Sequence, residues 1–416
     1  MACSLGKDKT DMFNDLAEKK EKKVEYIELI YDLIFVYVIG RNNALLQVVT
    51  GGFVDSRFFL AYVMTTLAVI QIWNYSTYYI NVYGRHGIRD HLFLFVNMFL
   101  LYFVGEGTRA DWQRFHTQYH VAWALILINI GLQYVIEWRN HKDEPANRKQ
   151  ITKMAVILFT EAAIVLLDIP AFRLTKTTWL SLAAILFGVA AVNLFGQRRT
   201  GDFVDFPHLS ERAMLYVVFT FGEMIIGMAG YFDGEFSLRS TYFAFMGFLI
   251  VIGLFLSYGV FYDHIIDREM KTSGLRYMLL HVVIIFAMNN ITNGLSFMQR
   301  EGIRLVPKIT FLSVSFILYF LFLFALGLGH AKERCRKYDL FCVIAVVLSA
   351  VFVAAMFLLK DYMLANIALT VVYIFGMFFM IYRYGMFVDP ADAGLTEYGS
   401  AEACSVEDHK SGREGC

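Results

Sequence analysis

The chain has 416 residues, of which 57% are hydrophobic and 18% are charged, and its 37 basic residues balance its 37 acidic ones. This composition excludes a water-soluble fold. Because the charges balance, no field of one sign favours nucleic acid, and no nucleic-acid partner is expected.

Apolar runs long enough to cross about 30 Å of hydrocarbon recur along the chain and are separated by short charged segments. They predict an all-α integral membrane protein with about twelve transmembrane helices. The predicted spans are residues 25–49, 58–82, 91–106, 116–138, 151–169, 178–196, 209–230, 240–263, 275–298, 309–330, 340–359 and 362–383. The first is the most polar and two others are short, so eleven spans are an alternative.

Lysine and arginine are concentrated on one side of the membrane when the amino terminus is placed in the cytoplasm. The positive-inside rule then predicts that both termini are cytoplasmic. The predicted divisions are a disordered tail at residues 1–23, a first six-helix half at 24–200, a second six-helix half at 201–388 and a disordered tail at 389–416.

A weak internal repeat relates the two predicted halves. The aromatic segment 73–79 ends the second span as segment 256–262 ends the eighth, and each follows a span with an acidic residue near its start, Glu28 or Glu211. Since each half has an even number of helices, the halves would run parallel, about an axis along the membrane normal. The sequence therefore predicts two parallel six-helix repeats, with chance similarity among aromatic helices as the alternative.

The stretch Glu28-Leu-Ile-Tyr-Asp-Leu-Ile-Phe-Val resembles the opening Glu-Leu-Phe-Phe-Asp-Leu-Val-Phe-Val of the low temperature requirement A family of membrane proteins. That family's second signature, His-x-x-Glu-Arg followed by Leu-Gly-Glu, is similar to His208-Leu-Ser-Glu-Arg212 with Phe221-Gly-Glu223. The aromatic segment 73–79 and the aromatic run that ends in an acid, 258–263, also fit, and the likeness runs from about residue 24 to 295. The resemblance implies a multi-helix membrane protein named for a cold-growth phenotype, and it implies no substrate, reaction or cofactor.

Ionisable side chains within the predicted spans are costly unless they face protein or water. We expect Glu28 or Asp32 to pair with Arg212. Arg41 is expected to pair with Glu223, or with Glu161 if the first helix is straight. The candidate charge network comprises Glu28, Asp32, Arg41, Glu161, Glu211, Arg212, Glu223 and His281. One of its carboxylates is predicted to be a proton carrier, and the alternative is that buried ion pairs only specify helix packing.

Side-chain amides in four places are predicted to line a polar cavity between the halves. They belong to Asn74, Asn97, Asn289 and Asn293. Amides can bind a polar solute, but they also form hydrogen bonds between membrane helices, so packing is the alternative here too. The last two spans are almost uncharged and are predicted to be a lipid-facing scaffold.

The leading prediction is a proton-coupled secondary transporter of a small solute. The alternatives are a channel, a non-catalytic membrane protein that supports stress or cold adaptation, and an intramembrane enzyme that acts on lipid through His208, Glu211 and Glu223. His208 and Glu211 have helical ligand spacing but lack a second histidine, so they make a poor zinc motif, and neither a metal nor a cofactor is predicted. Membrane lipid is the expected partner, a proton or small molecule the expected substrate, and the oligomeric state stays open.

Overall fold

The structure, a computed structural model, describes residues 22–85, 87–108, 111–196, 204–228, 237–332 and 338–386. Within these ranges it contains twelve α-helices: α1 (Tyr26–Asn42), α2 (Ser56–Tyr83), α3 (Ile88–Gly107), α4 (Trp112–Asn140), α5 (Pro145–Thr175), α6 (Trp179–Ala191), α7 (Phe206–Gly227), α8 (Leu238–Val260), α9 (Leu275–Gln299), α10 (Leu305–His330), α11 (Tyr338–Leu358) and α12 (Met363–Met386). Each predicted span falls on one of these helices.

Short elements extend or connect some of the helices. A 3₁₀ turn (Asn43–Gln47) follows α1, and an antiparallel pair of strands, β1 (Val49–Thr50) and β2 (Phe53–Val54), leads to α2. Turns of π-helix follow α6 at Val192–Gly196 and α8 at Phe261–Ile265. Most of the predicted amino-terminal tail, the whole carboxy-terminal tail and the boundary between the halves lie outside the described residues.

Ten helical segments within the described ranges are long and apolar enough to cross a membrane. The apolar segment Trp179–Phe195 is shorter, and α7, which carries Glu211, Arg212 and Glu223, is not among the ten. The chain is therefore an all-α, multi-pass membrane protein.

Capping residues fix where the helices that carry the charged side chains begin. Asp205 precedes α7, and its side chain accepts a hydrogen bond from the His208 backbone N–H at 3.2 Å. Pro207 lies in the first turn, where its missing N–H costs nothing. His208 and Arg212 are therefore one helical turn apart on one face of α7, close to its start.

The packing of the first six helices, α1 to α6, recurs in the last six, α7 to α12, and these two sets are called the halves below. The pairs α1–α2, α1–α3, α3–α4, α4–α5, α5–α6 and α2–α6 have counterparts in α7–α8, α7–α9, α9–α10, α10–α11, α11–α12 and α8–α12. The halves meet where α1 packs on α7 and where α2 packs on both α7 and α9. Residues on these central helices therefore belong to the interface between the halves.

Aromatic side chains fill this central interface. Trp73 of α2 and Tyr216 of α7 have ring centroids 4.4 Å apart, and Phe35 of α1 meets Tyr216 edge to face at 6.4 Å. All three side chains are fully buried. By contrast, α11 exposes a row of apolar side chains that includes Val347 and Val351, as the predicted lipid-facing scaffold requires.

Candidate ion-pair site between the two halves

The site is built around the guanidinium of Arg212, which has no exposed surface. Its Nη2 lies 2.5 Å from Asp32 Oδ1, and its Nη1 lies 3.2 Å from Glu28 Oε2. Both carboxylates come from α1, where they are one turn apart and buried. The predicted pairing of Arg212 with these acids is confirmed. An isolated charge would be very costly here, so the pairing is what allows the burial.

Two further side chains contact the carboxylates. Trp73 donates its indole N–H to Asp32 Oδ1 at 2.8 Å. His208 places Nε2 3.4 Å from Glu28 Oε2, and its Nδ1 lies 3.0 Å from the amide nitrogen of Asn81. Because the amide donates to Nδ1, the hydrogen-bond geometry assigns the imidazole proton to Nε2, facing Glu28.

Lys22, which the sequence analysis places in the amino-terminal tail, is held beside this site. Its ammonium donates to the carbonyl oxygens of Ile80 and Gly84 at the end of α2, the second at 2.8 Å. Its backbone N–H donates to Asp205 Oδ2 at 3.2 Å. Burial lowers the pKa of the Lys22 ammonium below its ordinary value, and the Glu28 carboxylate acts in the opposite direction.

The predicted partners of Arg41 are wrong. Arg41 Nη2 lies 3.5 Å from Glu106 Oε1 at the end of α3, and Glu106 also accepts a hydrogen bond from Tyr37. The carboxylate of Glu223 packs instead on the backbone of Gly40, where an added Cβ would lie 2.2 Å from Oε1. The reason is that α3 lies alongside α1 and brings an acid to the end of α1 that carries Arg41.

Glu161, which is fully buried, is not the described partner of Arg41 and belongs to a separate buried cluster. Tyr75 donates its hydroxyl to Glu161 Oε2 at 2.7 Å, and Gln71 donates to the Tyr75 hydroxyl at 2.7 Å. The side chains of Gln71 and Tyr75 line a cavity of about 150 Å³ that is enclosed by α2, α5, α6 and α9. Glu161 is thus positioned behind the wall of a cavity between the halves.

Two other predicted network members take no part in the described ion pairs of Arg212. Glu211 is half-buried and forms no ion pair with any described residue. His281 is buried on α9, with Nε2 2.9 Å from the hydroxyl of Tyr258 and Nδ1 2.8 Å from the carbonyl oxygen of Tyr277. The structure therefore divides the predicted network into separate clusters.

The four predicted amides are distributed in the same way. Asn74 lines the cavity between α2, α6 and α9. Asn97 donates to the hydroxyl of Tyr31 at 3.2 Å within the first half. Asn289 donates to the hydroxyl of Tyr62 at 3.0 Å, and Asn293 donates to Asn43 Oδ1 at 2.7 Å. The last two amides therefore connect the halves.

The sequence analysis missed two buried clusters. One consists of His116, His120, Asp168 and Ser181, and its visible signal was the His-x-x-x-His spacing within the fourth span. In the other, Glu137 has no exposed surface and lies 2.7 Å from Arg89 Nη2. No pattern in the sequence indicated that second pair, because the two residues belong to different helices.

Packed apolar helices with a guanidinium buried against carboxylates of another helix define a multi-pass helical membrane protein with an internal ion-pair site. The family described as Bacterial low temperature requirement A protein (LtrA) matches residues 23–377, and the chain belongs to this family. The resemblance of the motifs around Glu28 and Arg212 is thereby confirmed. Neither the curated proteins nor the solved structures include a match to the chain.

Proposed function

We propose that the chain is a proton-coupled secondary transporter of a small solute, with twelve spans arranged as two parallel six-helix repeats and both termini in the cytoplasm. The recurring helix pairs support the repeat. The observation that carries the proposal is the position of Arg212. It joins the first helix of one half to the first helix of the other and is held by groups that can exchange a proton.

The contacts of Glu28 suggest how a proton acts on this ion pair. A proton that Glu28 takes up from solvent neutralises one of the two described carboxylates that hold Arg212, and the neutral His208 imidazole stays beside it. The attraction between α1 and α7 then weakens, because Asp32 is the member of this pair of carboxylates that keeps its charge. Rocking of one half against the other is the motion by which repeat-built transporters expose a site to each side in turn.

The cavity beside Glu161 is the candidate solute site. It lies between α2 and α6 of one half and α9 of the other, and its polar lining includes Gln71, Asn74 and Tyr75. Amide and hydroxyl groups that lie in an otherwise apolar wall suit a small solute with hydrogen-bonding groups. A relative movement of the halves would change the shape of this cavity directly.

Proton flux in proteoliposomes loaded with a pH-sensitive dye tests the proposal. We expect the wild type to respond to an imposed pH gradient and Glu28→Gln to fall to the rate of empty liposomes. Glu211→Gln is the matched control, because it removes a carboxylate from α7 beside Arg212 without removing an ion pair of the described residues. Wild-type liposomes that behave like empty ones over a range of gradients would overturn proton coupling.

One observation favours the non-catalytic alternative. The guanidinium of Arg212 already has two carboxylate partners within the protein, which is sufficient for a role in packing. In that case Glu28→Gln would change stability alone. The lipid-acting enzyme is disfavoured because His208 and Glu223 lie about 22 Å apart along α7 at about 1.5 Å per residue, too far to act together.

A further inference from the structure

The cluster of His116, His120, Asp168 and Ser181 lies outside the ion-pair site and joins three helices of the first half. His116 and His120 are one turn apart on α4, Asp168 is on α5 and Ser181 is on α6. His116 Nε2 lies 3.0 Å and His120 Nε2 lies 3.1 Å from the same atom, Asp168 Oδ2. All four residues are buried.

The hydrogen bonds of His120 leave its Nε2 as an acceptor. Its Nδ1 lies 2.7 Å from the backbone oxygen of His116, so Nδ1 carries the proton and donates it. The lone pair of Nε2 then faces Asp168 Oδ2 and Ser181 Oγ, the latter at 2.6 Å. Ser181 Oγ is also 2.8 Å from Asp168 Oδ2 and has a single proton to give. His120 Nε2, Ser181 Oγ and Asp168 Oδ2 are therefore three acceptor atoms in mutual contact, with too few protons for a hydrogen bond along each contact. A cation bound between them would remove this mismatch.

The second carboxylate oxygen of Asp168 also favours a bound cation. Asp168 Oδ1 is buried and has no hydrogen-bond partner among the described residues. A buried carboxylate oxygen without a donor is costly, whereas a metal ligated by the other oxygen, or by both, compensates the charge. The donation of His120 Nδ1 to a backbone carbonyl is the outer contact that metal-ligating histidines commonly make.

We propose that His116, His120 and Asp168 bind a divalent transition-metal ion such as Zn²⁺, with the Ser181 hydroxyl beside the ion. In a tetrahedral site with bonds of about 2.0–2.1 Å, ligand atoms lie roughly 3.3 Å apart, close to the two imidazole–carboxylate separations of the cluster, and all three ligand atoms lie within 4.8 Å of one another. Two imidazoles and a carboxylate are donors that suit zinc and its neighbours in the first transition row. The proposal is independent of the transporter assignment.

The surroundings of the cluster provide both a rigid wall and a route of entry. The ring of His116 stacks on Phe172 at 3.7 Å and meets Trp112 edge to face at 5.5 Å. Both aromatic residues also line a cavity of about 790 Å³ at the end of the bundle where α4 begins and α5 ends. A hydrated ion that enters this cavity would reach the imidazoles past two side chains.

The test uses the purified full-length protein in detergent. We expect the wild type to hold a stoichiometric amount of metal by mass spectrometry, to lose thermal stability on chelation and to regain it with Zn²⁺. Co²⁺ added to the stripped protein should give the intense visible bands of a tetrahedral site. Asp168→Asn and His120→Gln should abolish the Co²⁺ spectrum and the response to Zn²⁺.

His330→Gln is the matched control. His330 is also buried, and its Nδ1 lies 3.1 Å from the carbonyl oxygen four residues earlier, as that of His120 does from its own. It should leave metal binding unchanged. A stripped wild type that takes up neither ion, or variants at Asp168 and His120 that bind as the wild type does, would overturn the proposal.

X-ray absorption at the zinc edge keeps the proposal testable if the variants do not fold. The wild type should show imidazole nitrogen and carboxylate oxygen at about 2.0–2.1 Å from zinc. Sulfur neighbours would place the ion at cysteines and contradict the assignment. Absence of any bound metal would mean that the cluster is a buried imidazolium–carboxylate pair.

Discussion

Arg212 is the side chain on which the central interface depends most. Its guanidinium has no exposed surface and two carboxylate partners, whereas the Arg41 side chain is 40% exposed and pairs with Glu106 at the end of its helix. Arg212→Gln should therefore lower the free energy of unfolding by about 3–5 kcal/mol, because it leaves buried carboxylates without their cation. Arg41→Gln should cost less than about 1 kcal/mol.

Thermal and denaturant unfolding in detergent measures both losses. Adding Asp32→Asn to Arg212→Gln should recover part of the stability, since it removes one of the stranded charges. Equal losses for the two arginine variants, or no recovery in the double variant, would show that the burial of Arg212 does not require this pairing.

Trp73 and Trp123 allow the hydrogen bond to Asp32 to be measured separately. Both indoles are fully buried, but Trp73 donates to Asp32 Oδ1, and Trp123 Nε1 has no partner among the described residues. Replacement by phenylalanine removes the same atoms from each. We expect Trp73→Phe to cost about 1.5–3 kcal/mol more than Trp123→Phe in unfolding experiments. Similar costs would mean that the indole serves only as packing.

The residues of the site were predicted to different extents. The pairing of Arg212 with Glu28 and Asp32 followed from aligning the first and seventh spans, because equivalent positions in a repeat lie at similar depths. The partner of Arg41 did not follow, because no sequence pattern tells which helix lies beside α1. The metal-ligand set was missed for the same reason, since Asp168 and Ser181 come from helices other than that of the two histidines.

Close approach of α6 to α2 and α5 depends on the glycine at position 188. A Cβ at Gly188 of α6 would lie 2.3 Å from Gln71 Nε2, from Glu161 Oε2 and from the Tyr75 hydroxyl. Gly188→Ala should therefore push α6 away from α2 and α5 and disrupt the hydrogen bonds around Glu161. We expect it to lower the free energy of unfolding by about 1–3 kcal/mol.

Gly222→Ala is the control for that prediction. Gly222 is exposed in the interior of α7, and an added Cβ would meet nothing within 4 Å. Alanine there should be neutral or should stabilise the protein by up to about 1 kcal/mol, because it reduces the freedom of the unfolded chain. Thermal unfolding of the two variants in parallel gives the comparison. A stable Gly188→Ala protein would mean that α6 does not need to approach so closely.

The elements themselves were well predicted, because apolar length is the main signal of a membrane helix. Each of the twelve predicted segments coincides with a helix of the described chain, but ten helical segments there are long and apolar enough to cross a membrane, and α6 and α7 are not among them. The predicted spans, however, were shorter than the helices at their polar ends. Helix α5 begins at Pro145 and ends at Thr175, beyond the predicted 151–169, because charged residues continue a helix outside the hydrocarbon. The turns of π-helix after α6 and α8 had no sequence signal.

The two halves contact each other through different chemistry at two levels of the bundle. Near the beginning of α1 the contact is the ion pair of Arg212, and nearer the other end Tyr62 donates to Asn290 Oδ1 at 2.6 Å and accepts from Asn289. In a transporter that opens to each side in turn, each contact holds one side closed. Weakening the contact of Tyr62 with Asn289 and Asn290 should therefore favour opening at the end of the bundle where Tyr62 lies.

Tyr62→Phe tests this expectation, because it removes the hydroxyl between the halves. The probe is Leu46→Cys, at a buried position, in a chain whose five native cysteines are replaced by serine. Labelling by a membrane-impermeant maleimide should become faster in the Tyr62→Phe background. Tyr119→Phe is the control, since its hydroxyl donates to Thr65 within the first half. Equal rates in both backgrounds would argue against the amide contact as a closure.

The order of synthesis gives the Arg212 site a consequence for biogenesis. Asp32 and Arg212 are 180 residues apart in the chain. At about 5–20 residues per second, a ribosome needs on the order of 10–40 s to make the guanidinium after the carboxylate. The guanidinium that pairs with α1 is therefore made only after α2 to α6 have been synthesised. A nascent chain that stops before α7 retains an acid without its guanidinium, a defect that quality-control proteases of the membrane can recognise.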